Sequence, residues 1–166
     1  QTEFFHASNR AESGLISPED LVCLWPNLRL ASQETVDCTR LDTVLAAPLA
    51  CGAMRGAWLI VDCLPALGIL EGAKATLEQC SILWLRALLQ DVPSAVAGSS
   101  LAELESFLAP LGFRPVHITE GNHPAVGEVF FVRDWADTTY ADEQEKLAAD
   151  RKAEIDSMSQ AMTALG

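Results

Sequence analysis

The segment Trp58-Leu59-Ile60-Val61-Asp62 constrains the fold of this chain more than any other. It is an apolar run that ends on an acid. A short turn follows, and then a stretch in which Leu70, Ala73, Leu77 and Cys80 recur at three- and four-residue steps, the spacing of one helix face. An apolar strand that leads through a tight turn into a helix is the pattern of a buried parallel strand in an α/β sheet. Open α/β sheets place ligands outside the carboxyl ends of their strands, and Asp62 falls at such an end. It is the candidate binding residue. The competing role is that of a cap or turn residue ahead of Pro65, which aspartate also fills readily.

The rest of the pattern alternates short elements around this unit. Residues 3–7 read as a strand. Ser17, Pro18, Glu19 and Asp20 predict a brief helix that ends near Trp25 and Pro26, with Ser17 as cap and Pro18 in the first position. Residues 34–39 predict a second strand, and 41–46 a helical turn that stops before Pro48. Beyond the strand at 57–62, a helix is expected over 67–79 and a strand over 81–88. The Pro-, Gly- and Ser-rich stretch 92–99 is a loop. Ser100 and Glu103 form a capping box that opens a helix to about residue 111, with Leu101, Leu104, Phe107, Leu108 and Leu111 inward. Gly112 suits a left-handed C-cap. Strands at 113–119 and 128–133, joined by the loop 120–127, should pair antiparallel. The order β-α-β-α-β-β predicts an α/β sheet with a final antiparallel hairpin.

Composition narrows the functions. The chain has 166 residues, the size of one domain, and 49% of them are apolar, enough for a core. The formal net charge is −12. Nucleic acid and anionic membrane surfaces both demand clustered Lys and Arg, so neither is expected as a partner. No apolar run approaches the roughly 18–20 residues of a membrane span. The start shows no signal peptide, and the missing initiator Met points to a trimmed chain or a fragment. The five cysteines, Cys23, Cys38, Cys51, Cys63 and Cys80, are odd in number and widely spaced. They read as reduced, buried small hydrophobes of a cytoplasmic protein. Only Cys38, two residues before Arg40, has a cation near it in sequence.

His6, His117 and His123 are scattered, so no metal site is expected. Neither a Gly-x-Ser-x-Gly elbow nor a phosphate-binding Gly-x-x-x-x-Gly-Lys loop occurs, and no residue is assigned a catalytic role. Trp25, Trp58, Trp84 and Trp135 are spread singly, as core and edge aromatics are. Residues 137–166 form a separate helical extension. There Leu147, Ile155, Met158, Met162 and Leu165 make an apolar seam, the last four at three- and four-residue steps. That seam suits either packing on its own domain or a connecting helix for a partner.

Taken in order, several segments resemble the FkbM-type family of S-adenosylmethionine-dependent methyltransferases. They are Phe4-Phe5-His6-Ala7-Ser8-Asn9 with Ser13-Gly14-Leu15, and Val36-Asp37-Cys38-Thr39-Arg40-Leu41-Asp42. Leu59-Ile60-Val61-Asp62 followed by Leu70-Glu71-Gly72-Ala73 comes next. Leu108-Ala109-Pro110-Leu111-Gly112-Phe113 and Glu128-Val129-Phe130-Phe131-Val132-Arg133 complete the set. The resemblance runs from Gln1 to about Trp135. It implies that residues 1–136 are the C-terminal part of a methyltransferase-like, Rossmann-type domain.

This chain departs from the family in two ways. The family reads Asp-x-Glu-Gly-x-Glu after its fourth strand. Here Asp62 is followed by Cys63-Leu64-Pro65-Ala66-Leu67, and both Glu positions and the Gly are lost. The family's cofactor site lies on its first two strands, with a glycine-rich turn that is not in this sequence. The implication is no cofactor for this chain alone, and S-adenosylmethionine only where the missing half is present, with Asp62 then at the cofactor. The expected function is a degenerate methyltransferase-like binding or scaffold module of a larger bacterial cytosolic protein or assembly. The alternative is the C-terminal half of an O-methyltransferase acting on a sugar or similar polar acceptor. The expected partner is the missing N-terminal half or another protein chain. Self-association is expected too, because the strand near Trp58 would stand at a sheet edge with no Lys or Pro to guard it.

Overall fold

A computed structural model describes residues 1–92, 96–121 and 123–133. Strand β1 (Thr2–Ala7) pairs antiparallel with β2 (Leu30–Val36) in a two-stranded ribbon. The main sheet contains β3 (Ala57–Val61), β4 (Cys80–Leu88), β5 (Phe113–Glu120) and β6 (Val126–Arg133), in the order β3-β4-β6-β5. The β3–β4 pair is parallel, and β6 runs antiparallel to both β4 and β5. The protein is therefore mixed α/β with a mixed four-stranded sheet. The expected terminal hairpin is present, and its second strand inserts between β4 and β5.

The helices are short: α1 (Leu41–Val44), α2 (Ala46–Ala50), α3 (Ala66–Glu71), α4 (Lys74–Gln79) and α5 (Leu101–Leu108). No helix among the described residues is long and apolar enough to cross a membrane. The capping box of α5 forms as the sequence predicts, with Ser100 Oγ accepting from the Glu103 amide. Gly112 takes the left-handed conformation, at φ 81°.

Side-chain alternation along β4 divides the sheet into two unlike faces. Leu83, Leu85 and Ala87 point to one side and pack with Val129 and Phe131 of β6 against Ala66, Leu70, Leu77, Leu104 and Leu108 of the helices. On the other side, register aligns Trp58, Ile82, Val132 and Arg114 in one row, and Ile60, Trp84, Phe130 and His117 in the next. Trp84 stacks on Phe130 with ring centroids 4.8 Å apart. Trp58 is 62% and Ile60 57% exposed. A second core lies at the carboxyl end of β4. There Leu21, Leu24 and Leu28 of the N-terminal segment meet Leu64, Leu88 and Val126.

Several local expectations change. Residues 17–25 form successive hydrogen-bonded turns rather than a helix. Ser17 Oγ does accept from the Glu19 amide, but so short a segment gains little from helix propagation, and burial of Leu21 and Leu24 fixes its path. The second strand begins earlier and ends at Val36. Pro48 lies inside α2, as its third residue, where an amide would have no intrahelical partner and none is missed. Cys23, Cys38 and Cys51 are exposed, Cys63 is half-buried, and only Cys80 is buried; all five are free. The three exposed thiols lie in turns and loops outside the helix–sheet layer. The extension 137–166, with its Leu147 to Leu165 seam, and Trp135 lie outside the described residues.

The helix expected over 67–79 is two helices, broken at Gly72 and Ala73. Ala73 is the N-cap of α4 and has no side-chain acceptor. Asp42, from α1, supplies one. Its carboxylate accepts from the Ala75 amide at 2.9 Å, the Thr76 amide at 2.8 Å and the Thr76 hydroxyl at 2.7 Å. These are the second and third amides of α4, the ones a capping side chain normally serves. Thr76 is fully buried, so its hydroxyl needs that partner. Burial raises the Asp42 carboxyl pKa. The hydrogen bonds from Ala75 and Thr76, with the charge of Arg40, outweigh burial and hold it below the ordinary 3.8.

A carboxylate with a lowered folded-state pKa stabilises the fold above its unfolded value. That contribution is lost as pH falls through the folded value. Asp42→Ala should therefore cost about 1–2 kcal/mol at neutral pH. In urea unfolding, wild type and variant should stay apart down to the ordinary carboxylate range and converge only at more acid pH, as the folded carboxylate protonates. An undiminished gap in acid would show that Asp42 acts through packing instead.

Candidate functional site

The carboxyl ends of β3 and β4 meet the N-terminal segment in a cleft of about 220 Å³. Asp62 follows β3 directly. Arg86 is the one charged residue of β4 and stands on the Trp84 side of the sheet, directly across from Glu128 of β6. A charge in such a strand needs a partner once covered. Glu12, from the 3-10 turn Arg10–Glu12, provides it. Arg86 Nη2 donates to both Glu12 carboxylate oxygens at 3.0 Å. The two side chains are 16% and 11% exposed. The Arg86 guanidinium also lies 5.4 Å from the centre of the Trp25 ring, within cation–π range.

Asp62 is placed differently. Its Oδ1 is 4.0 Å from Arg86 Nη1, and its side chain is 74% exposed. An exposed pair at that distance contributes little to stability. The cap of α3 is Pro65, with no side-chain cap bond, so the capping role for Asp62 is corrected. The chain turns at Leu64-Pro65 before α3 begins, and Asp62 faces the cleft instead. His123 completes one wall, with its ring 6.3 Å from that of Trp25. Its Nδ1 accepts from the Ala125 amide at 3.1 Å, which in the neutral ring leaves the proton on Nε2.

The cleft holds three carboxylates, Glu12, Asp62 and Glu128, against the single cation Arg86. Glu12 already engages that cation. The remaining character is acidic, with an indole wall from Trp25. Burial raises the Cys63 thiol pKa, the Asp62 charge raises it further, and Arg86 opposes only in part, so the thiol stays protonated at neutral pH. Among the described residues no group of His, Cys, Asp and Glu is placed to hold a metal ion. His6 is paired with Glu34 at 2.9 Å on the β1–β2 ribbon, and His117 lies on β5, both on other elements than His123.

Of the residues in the cleft, the sequence singled out Asp62. Arg86 carries a readable signal: a lone charge within the apolar run Leu83-Trp84-Leu85-Arg86-Ala87-Leu88 implies a buried partner. Glu12 carried none, since it lies 74 residues away and its position depends on how the N-terminal segment folds back. After Asp62 the chain buries apolar side chains: Leu64 joins the second core, Ala66 the main one, and Leu67 packs partly buried against the main core.

No protein-family model, no curated protein and no solved structure matches this chain.

Removing Arg86 strands a buried carboxylate. Arg86→Ala should destabilise the fold by about 3 kcal/mol, whereas replacing both partners by apolar residues, as in Arg86→Met with Glu12→Leu, should recover most of the loss. Equilibrium urea unfolding of the two variants measures the difference. Equal losses in both would mean that Arg86 acts by packing on Trp25 rather than by pairing with Glu12.

Proposed function

We propose that this chain is a degenerate methyltransferase-like module of a larger bacterial cytosolic protein or assembly, and that it binds another protein chain rather than a cofactor. The parallel β3–β4 pair, its helical crossover and the terminal antiparallel hairpin support the methyltransferase-like reading. The observation that carries the binding role is β3. Among the described residues it is one of the two edge strands of the main sheet; apart from an irregularity in its pairing at Ala57 and Trp58 it carries no charged residue or proline, and it exposes Trp58 and Ile60. Natural edge strands are blunted by charge, proline or bulges, and large exposed apolar patches mark interaction sites. On the same face stand Ile82, Trp84, Phe130 and Val132, each partly buried.

The size of the cleft beside Asp62 supports a role without S-adenosylmethionine there. The cleft beside Asp62 measures about 220 Å³, below the roughly 300–1,000 Å³ of small-molecule sites. The described residues before β3 hold the β1–β2 ribbon, short turns and the short helices α1 and α2, with no glycine-rich strand–turn–helix for a nucleotide. One observation favours a second reading, the C-terminal half of an O-methyltransferase for a sugar or similar polar acceptor. Asp62 does stand at the carboxyl edge of β3, facing a cleft.

Two measurements separate the readings. Replacing Trp58→Ser together with Ile60→Thr should change stability by no more than about 0.5 kcal/mol per site, because surface positions carry little of the fold. A loss above about 2 kcal/mol would mean that the chain itself covers this face, and the binding role would fall. Calorimetric titration with S-adenosylmethionine should show no binding. A micromolar dissociation constant would move the methyltransferase reading ahead.

A further inference from the structure

We propose that the groove between α1, α3 and the N-terminal segment binds a medium-chain carboxylate, a molecule with an apolar tail and one anionic head. The groove shares no lining residue with the cleft at Arg86, and neither Trp58 nor Ile60 lines it. The site is therefore independent of the protein-binding role of β3. Its volume is about 600 Å³, inside the roughly 300–1,000 Å³ of small-molecule sites.

The lining is apolar where a tail would lie. Leu41 and Ile69 pack partly buried against the main core and also line the groove. Leu15 and Val44 line it too, and both stay exposed, Val44 to 62%. Gly68 points to a use for the open space. It lies inside α3, where glycine is the least favourable residue after proline. Its φ is not positive, so no left-handed turn calls for glycine there. A Cβ at this position would meet nothing within 4 Å, so no neighbour calls for glycine either. The fold gains nothing from glycine at 68, whereas a ligand in the groove gains room.

Arg40 supplies the contact for the head. It is the N-cap residue of α1, it is exposed, and its side chain makes no hydrogen bond or ion pair among the described residues. Its stem runs beside Gly72, where an added Cβ would lie 3.7 Å from Arg40 Cγ. The Arg40 charge does act on Asp42, but that carboxylate already accepts from the Ala75 amide and from the Thr76 amide and hydroxyl. The guanidinium fork is thus left for another carboxylate, which it can bind through two parallel hydrogen bonds. Glu71, the carboxylate of the lining, is exposed at the end of α3. An amine of the same chain length would pair with Glu71 instead, so head charge tells the two ligands apart.

The test is calorimetric titration of the full 166-residue chain with sodium decanoate and with decylamine, each below its micelle concentration. Decanoate should bind with a dissociation constant on the order of 10–100 µM, as a ligand of about a dozen non-hydrogen atoms allows. Decylamine should bind about tenfold more weakly, and Arg40→Gln should bring decanoate down to the same level. Gly68→Leu should abolish decanoate binding while its melting temperature stays at or above that of wild type. That split is expected where a helix glycine serves a ligand rather than the fold. Val44→Glu, at an exposed position, should weaken decanoate about tenfold by like-charge repulsion, and it keeps the test decisive should Gly68→Leu fold poorly.

No binding of decanoate up to about 1 mM overturns the proposal. So does binding that survives both Gly68→Leu and Val44→Glu, which would place the ligand elsewhere on the chain. Equal affinity for the amine and the carboxylate overturns it as well, since Arg40 would then select nothing. Replacing Trp58→Ser together with Ile60→Thr should leave the decanoate affinity unchanged. Loss of binding in that variant would put the ligand on the exposed sheet face and overturn the assignment to the groove.

Discussion

Strand β4 is the element on which the rest of the structure depends. Its helix-facing residues Leu83, Leu85 and Ala87 are fully buried and seat α3, α4 and α5 on one side of the sheet. Its other side carries Ile82, Trp84 and Arg86, which meet different environments. The N-terminal segment folds over the carboxyl end and engages Arg86, while Ile82 and Trp84 belong to the surface that this segment does not reach. A parallel strand buried on both faces reads as a continuous apolar run. β4 reads that way in sequence, but among the described residues helices cover one face of it.

Two polar contacts tie the first part of the chain to this framework. Asp42 reaches 34 residues ahead to complete the start of α4, and Glu12 reaches 74 residues ahead to neutralise Arg86. Both follow from the cost of leaving a covered polar group without a partner. The break at Gly72 and Ala73 would leave free amides at the start of α4, and Arg86 would be a stranded charge. The N-terminal region is thereby held by specific geometry as well as by the apolar contacts of Leu21, Leu24 and Leu28.

Much of the main sheet was legible because period and punctuation agree there. Alternation marked β4 and the β5–β6 hairpin, the Ser100–Glu103 box the start of α5, and Gly112 the end of the 3-10 turn Ala109–Leu111 that follows it. The expectation of a single helix over 67–79 failed because the apolar face at Leu70, Ala73 and Leu77 continues through the break. What interrupts the helix is a cap supplied by Asp42, a tertiary contact that no local window contains. The brief helix at 17–25 failed for the opposite reason: its signals were local and sound, but too few residues follow to sustain it. Of the cleft, Asp62 was visible from its place after an apolar strand. Its relation to Arg86, Glu12 and Trp25 was not, since three separate segments have to fold before they meet.

The central claim is that β3 is an open edge completed by another chain. Amide hydrogen exchange over residues 58–61, compared with β4 and β6, tests it most directly. The account expects alternate amides of this stretch, the ones turned away from β4, to exchange freely in the isolated chain, while β4 and β6 stay protected. Protection of all of these amides to the level of β4 would contradict it.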